Sequence, residues 1–181
     1  MEECYISVDV ETTGPTPGIY SMYELGACVV GNDARRFYEE LSLLKYGQAV
    51  PEALNACGHS IEELQLKGRD PALVMPRFDE WVRKVSAGRK PVFVALAATF
   101  DWMFVEWYLR VYAGDNPFGH AGLDIKAFYM GLMKCRWGET GQSKIDPRFQ
   151  SDKPHTHNAL DDAIQQADMF AKMLASAGLQ P

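Results

Sequence analysis

Residues 5–12 read Tyr-Ile-Ser-Val-Asp-Val-Glu-Thr, and this stretch does most to decide the fold. It alternates with period two and is rich in β-branched residues, which predicts a β-strand that ends at Thr13-Gly14-Pro15. Asp9 and Glu11 lie two residues apart, so both carboxylates project from one face of the strand. At ~4 Å and an effective dielectric constant of ~20, two such charges repel by on the order of 4 kcal/mol. The pair therefore indicates a nearby cation, although a chain with 24 acidic residues contains roughly one such Asp-x-Glu by chance.

The rest of the chain predicts an α/β protein with a mixed sheet. Residues 24–30 and 36–44 are expected to follow the first strand as an antiparallel meander, because the turns between them are short. Residues 91–96 form an almost unbroken apolar run, which indicates a central strand buried on both faces, and residues 123–125 form a short strand. Strands that come first and then alternate with helices indicate a mixed sheet flanked by helices.

Several helix starts are marked by capping residues. Ser60 and Glu63 have the spacing of a capping box, and Asp70 precedes a proline at the first helical position. Further helices are predicted over residues 102–112 and 126–133, and Asn158 can cap a last helix that stops at Gly178. Turn-forming residues accumulate over residues 138–154, which predicts a long polar loop.

The composition indicates a single domain over residues 1–181, soluble and cytoplasmic. The chain is 47% hydrophobic, which is enough for a sizeable core, and no stretch approaches the ~20 apolar residues needed to span a bilayer. Its four cysteines are scattered, which favours reduced thiols over a zinc site or disulfides. The net charge of −6 counts against a nucleic-acid partner, but residues 134–153 are locally basic and bound metals reverse the field of an acidic site.

Three more acids and one histidine complete the set of candidates. Asp101 follows the buried strand at the start of a helix, and Asp161 and Asp162 follow the cap at Asn158. Stabilisation of a helix dipole explains each of these acids equally well when taken alone. Periodicity does not choose between Asp161 and Asp162, and a lone His157 in a loop is more often solvated than catalytic.

In order along the chain, three segments resemble the motifs of the DEDDh exonucleases. These segments are residues 9–14 (Asp-Val-Glu-Thr-Thr-Gly), 100–102 (Phe-Asp-Trp) and 157–163 (His-Asn-Ala-Leu-Asp-Asp-Ala). The resemblance covers nearly the whole chain, and its last motif is the most specific. It implies a ribonuclease H-like fold and removal of nucleotides from a 3′ end. The Leu-Asp-Asp sequence in the last motif slightly favours RNA or short oligonucleotides as the substrate. The family often has His-Asn where this chain has Leu96-Ala97.

The resemblance also assigns roles to individual residues. It implies that four carboxylates bind two divalent cations, Mg²⁺ or Mn²⁺, that His157 is the general base, and that Asp161 is a bystander. Hard carboxylate oxygens suit these two metals better than zinc. Thr12 and Thr13 are expected near the terminal nucleotide of a single-stranded substrate, and a homodimer is possible. The implied metal ligands and catalytic carboxylates are Asp9, Glu11, Asp101 and Asp162.

Aromatic side chains are the remaining candidates for substrate binding. Stacking on a base is worth ~1–3 kcal/mol and tolerates any sequence. The candidates are Phe100, Trp102, Trp137 and Phe149, of which Trp102 is expected to be core. Two alternative functions stay open: an inactive nucleic-acid-binding or scaffolding module with this fold, and an aspartate-nucleophile phosphatase. The latter normally has a second aspartate where this chain has Glu11.

Overall fold

A five-stranded mixed sheet organises the protein in the computed structural model, which describes residues 2–153 and 156–181. The strands are β1 (Glu3–Thr12), β2 (Met22–Val29), β3 (Asn32–Glu40), β4 (Lys90–Ala95) and β5 (Leu123–Asp124). The strand order is β3-β2-β1-β4-β5; β1 pairs antiparallel with β2 and parallel with β4. The predicted α/β class and mixed sheet are confirmed.

Helices cover both faces of this sheet. The helices are α1 (Pro51–Cys57), α2 (Ile61–Gln65), α3 (Pro71–Ser86), α4 (Ala98–Tyr112), α5 (Ile125–Met133) and α6 (Ala159–Ser176). On one face, α3 and α4 bury Phe78 and Phe104 against the apolar side of β1. On the other face, α6 packs across β1 and β2 and carries Phe170 into a second apolar cluster. None of the helices in the described ranges has the length and apolar character needed to cross a membrane.

Two predicted boundaries and the predicted position of one strand in the sheet were wrong. β3 begins at Asn32 and ends at Glu40, because a tight turn with Gly31 at a φ of 78° returns the chain at once; its exposed polar residues conceal the strand. α4 begins at Ala98, which places Asp101 inside its first turn. β1, not β4, is the middle strand, and the first half of β4 is only partly covered.

The long polar loop after α5 is more ordered than its composition suggests. It contains three short 3₁₀ turns, and Ile145 and Phe149 anchor it in the core. Phe149 is 2% exposed and its ring packs edge-on against Tyr129, so it cannot stack on a base, and that prediction was wrong. The predicted loop also includes Pro154, which lies outside the described residues.

Candidate active site

The four predicted carboxylates meet in one cleft at the C-terminal end of β1. β1 supplies Asp9 and Glu11, while α4 and α6 each supply an aspartate from their first turn. The cleft is lined by Asp9, Val10, Glu11, Leu96, Ala97, Phe100, Asp101, Gln142, Asp162, Gln165 and Gln166. Residues separated by up to 157 positions in sequence are thus brought together where β1 ends and where α4 and α6 begin.

Asp9 is held by a glutamine that sequence reasoning missed. Gln166 Nε2 donates to Asp9 Oδ1 at 2.6 Å, and Gln166 Oε1 accepts a hydrogen bond from the Leu96 amide at 2.8 Å. Gln166 therefore ties the central strand to the end of β4. Its spacing of four residues from Asp162 places both side chains on one face of α6, which was the available sequence signal.

Asp101 links α4 to the same strand. Its Oδ1 accepts a hydrogen bond from the Val10 amide at 3.2 Å, and its side chain is 6% exposed. The start of α4 is fixed from the other side, because Asp124 Oδ2 accepts from the Ala98 amide at 2.9 Å. The position of Asp101 is thus set by both neighbouring strands.

The clustering of acids makes ionisation unfavourable in the metal-free protein. Burial raises the pKa of Asp9 well above its usual range, and the charges of Asp101 and Glu11 raise it further. Burial, then the charge of Glu24, raises the pKa of Glu11 to about 8, and burial raises that of Asp101 to about 7. These buried oxygen donors fit a hard divalent cation, which would neutralise them.

A pH-dependent loss of stability is expected from these shifts. A carboxyl group whose pKa is raised on folding contributes stability that is fully present below its unfolded pKa of ~4 and is lost as the pH rises through its folded value. The metal-free melting temperature should therefore fall from pH 5 to pH 8, most steeply below the folded pKa values of about 7 for Asp101 and about 8 for Glu11, and level off as the pH passes them. Thermal melts in EDTA check this, with the Asp101→Asn variant expected to show a shallower fall. A metal-free melting temperature that rises over this range would contradict it.

The start of α6 lies unusually close to β2. A Cβ atom at Gly26 would lie 2.2 Å from the carbonyl carbon of Ala159, so only glycine permits this approach. Next to it, Glu24 Oε2 accepts hydrogen bonds from the Ala159 amide at 3.1 Å and from Asn158 Nδ2 at 3.2 Å. Glu24 is buried on β2 and lies opposite Glu11 on β1. Glu24 therefore connects the start of α6 to the cleft.

Glu24 should act as a positioning residue for that helix start. Glu24→Ala leaves the buried Ala159 amide without its acceptor, at a cost of ~1–3 kcal/mol. We expect a lower melting temperature and a lower kcat, both largely restored in Glu24→Gln, which keeps one acceptor oxygen. Melting and steady-state kinetics measure this, with the exposed Glu40→Gln as the control. Equal behaviour of the alanine and glutamine variants would remove the hydrogen-bonding role.

His157 lies beside the carboxylates. A nitrogen of its ring and oxygens of Glu11 and Asp162 all lie within 4.8 Å of one another, an arrangement that could hold a metal ion. Its backbone is in the left-handed region at a φ of 55°, and the preceding Thr156 amide donates to Asp162 Oδ1 at 3.0 Å. The tight turn therefore brings the histidine back over the start of α6.

The other predicted site residues divide into two groups. Phe100 is 36% exposed in the cleft, and the Thr12 hydroxyl donates to the Gly14 carbonyl at 3.0 Å at the end of β1. Thr13 is buried, and its hydroxyl donates to the Gln48 carbonyl and accepts from the Ser21 amide. Asp161 is exposed and is not among the residues that line the cleft.

The fold is that of the DEDDh-type 3′-5′ exonucleases. The chain belongs to the RNase T exonuclease family, whose model matches residues 6–170. It is 41% identical over 170 residues, 93% of this chain and 90% of the relative, to the 3′-5′ DNA exonuclease Cap18 of Escherichia coli. The protein is thus a 3′-5′ exonuclease acting on nucleic acid, of a family that generally uses divalent metal ions. This assignment excludes the two alternative functions, an inactive scaffolding module and an aspartate-nucleophile phosphatase.

Solved structures share the fold at low sequence identity. The nuclease domain of 3′hExo, a DEDDh family member bound to rAMP, matches with a TM-score of 0.75 at 16% identity, covering 98% of this chain and 93% of that one. Exonuclease I of E. coli in complex with a dA16 oligonucleotide matches with a TM-score of 0.65 at 14% identity, covering 97% of this chain and 41% of that one. The predicted ribonuclease H-like fold is confirmed.

Proposed function

We propose that this exonuclease removes nucleotides from the 3′ end of single-stranded DNA, with two divalent cations and a histidine general base. The observation that carries the proposal is the convergence of four carboxylates in one cleft, with His157 beside two of them, Glu11 and Asp162. The relative at 41% identity is named a DNA exonuclease, and this favours DNA over the slight lean towards RNA taken from the Leu-Asp-Asp wording. Mg²⁺ and Mn²⁺ both suit the oxygen donors.

The cations would be held by Asp9, Glu11, Asp101 and Asp162. When bound, they supply Lewis-acid polarisation of the scissile phosphate and a lower pKa for the attacking water. Gln166 orients Asp9 through the 2.6 Å hydrogen bond, and the Val10 amide orients Asp101. These contacts hold the ligands before substrate arrives, which reduces the reorganisation needed during the reaction.

His157 is the group best placed to accept a proton from water at neutral pH. It lies at the exposed lip of the cleft, beside Glu11 and Asp162, where an incoming water can be reached. Phe100 offers a partly exposed ring for the terminal base, with Thr12 beside the same end of β1. Thr13 serves the substrate indirectly, because its hydroxyl is engaged in holding the loop.

Digestion of end-labelled strands tests this function. Single-stranded DNA and RNA of one sequence, each labelled at the 5′ end, are incubated with Mg²⁺, Mn²⁺ or EDTA. We expect a ladder that shortens from the 3′ end, requires metal and forms faster on DNA. Faster cleavage of RNA would overturn the substrate assignment. Cleavage in the interior of a strand whose 3′ end is chemically blocked would overturn the 3′-to-5′ direction of hydrolysis.

A further inference from the structure

Trp137 is an exposed tryptophan paired with a lysine. It begins the first 3₁₀ turn after α5, and 54% of its surface is exposed. Lys126 Nζ lies 4.4 Å from the centroid of its ring, which is a cation–π contact. An exposed aromatic ring beside a cation can stack on a nucleobase while the cation contacts a phosphate.

Lys126 is connected to the cleft through β5. It lies two residues after Asp124, which accepts a hydrogen bond from the Ala98 amide at 2.9 Å. The two residues before Ala98, Leu96 and Ala97, line the cleft. The Trp137–Lys126 pair therefore lies on the side of the cleft formed by the ends of β4 and β5.

Trp137 is connected to the same cleft by its own loop. Gln142, five residues later, lines the cleft and donates to Gln165 Oε1 at 2.9 Å. Five residues span at most ~18 Å when extended, and the 3₁₀ turns shorten this distance. The loop between them is held by the Thr140 hydroxyl, which donates to the Trp137 carbonyl at 2.8 Å, and by Lys144, which donates to the Gly138 carbonyl at 2.7 Å. The ring is thus presented on a fixed support within a few nucleotides of the carboxylates.

We propose that Trp137 and Lys126 form a second binding site for the substrate strand, on the 5′ side of its terminal nucleotide. A base stacks on the exposed part of the Trp137 ring, and Lys126 contacts a backbone phosphate. The inference rests on the proposed function and extends it to substrate length.

Two substrates separate this site from the catalytic centre. One is an oligothymidylate of about twelve nucleotides, within the ~4–16 nucleotide range of single-strand sites. The other is the p-nitrophenyl ester of thymidine 5′-monophosphate, which has no upstream nucleotide. The variants are Trp137→Ala, Trp137→Phe and Lys126→Ala. The control is Lys84→Ala on α3. The neighbouring residue, Val85, accepts a hydrogen bond from the Cys4 thiol at the start of β1, so Lys84 lies near the end of the sheet opposite the cleft.

Trp137→Ala should raise KM for the oligonucleotide by roughly 5- to 100-fold, with kcat changed little, and Trp137→Phe should restore most of the affinity. Lys126→Ala should lower the slope of log affinity against log salt by about one. Neither change should affect the ester, and Lys84→Ala should affect neither substrate. An unchanged KM in Trp137→Ala, or an equal loss on both substrates, would overturn the proposal.

Binding without turnover keeps this test separate from the proposed function. Fluorescence anisotropy of the 5′-labelled oligonucleotide in EDTA measures affinity directly. If the wild type binds the strand but hydrolyses neither substrate, the proposed reaction fails, while weaker binding by Trp137→Ala still supports this site. Equal binding by the wild type and Trp137→Ala overturns it.

Discussion

Asp162→Asn is expected to lower kcat by at least about 1,000-fold, whereas Asp161→Asn should change it less than about fivefold. The two aspartates are neighbours at the start of α6, but Asp162 is 1% exposed in the cleft and Asp161 is exposed. The substitution is nearly isosteric and removes one negatively charged oxygen from the proposed metal centre. Steady-state hydrolysis of single-stranded DNA measures the effect.

The neighbouring variant is also the control for folding and for the helix dipole. Both aspartates lie in the first turn of α6, so each substitution removes about the same favourable interaction, ~0.3–1 kcal/mol. Similar melting temperatures with very different kcat values would assign the loss to the cleft. Equal activity in the two variants would show that Asp162 is not a metal ligand on which turnover depends.

His157→Asn should lower kcat by roughly 100- to 10,000-fold while Mn²⁺ affinity stays close to that of the wild type. Asparagine is chosen because it tolerates the left-handed backbone at this position, where φ is 55°, better than alanine does. Loss of a general base removes the acceptor of the water proton but leaves the carboxylates in place. Kinetics and a parallel Mn²⁺ titration measure the two quantities separately.

The proximity of His157 to Glu11 and Asp162 gives this experiment a second possible outcome. The three groups lie close enough to share one ion, so a histidine that acts as a ligand would lose metal affinity and turnover together. Such a joint loss would contradict the role of general base. His59→Asn is the control, because this partly exposed histidine lies 3.7 Å from Glu63 at the start of α2.

The parts of the fold that were predicted from sequence are those with strong local signals. The alternation in β1, the cap at Asn158 and the capping box at Ser60 each correspond to an observed element start or strand. β3 was misplaced because four of its first five residues are charged or polar. Most of the strand is exposed, so its sequence lacks the alternation of apolar and polar residues that marks a half-buried strand. α1 was missed because it is short and its N-cap, Val50, forms no side-chain hydrogen bond.

The supporting residues of the cleft could not be predicted because their roles depend on tertiary contacts. Gln166 meets Asp9 across 157 positions of sequence, and Glu24 meets Ala159 across 135. The spacing of Gln166 from Asp162 places it on the same face of α6, but neither this spacing nor a glutamate in a strand identifies the distant partner. Conversely, periodicity left Asp161 and Asp162 equivalent, and their burial separates them only once α6 is packed on the sheet. The residue roles implied by the resemblance remain predictions, which the variants above test.

The central claim is that Asp9, Glu11, Asp101 and Asp162 form the metal centre on which hydrolysis depends. The most direct test is a Mn²⁺ titration of the wild type and of Asp9→Asn, in which electron paramagnetic resonance measures the concentration of free ion. We predict two Mn²⁺ ions per wild-type chain and weaker binding of at least one of them in the variant, accompanied by loss of activity. Identical Mn²⁺ stoichiometry and affinity in the two proteins would place the metal elsewhere and contradict the claim.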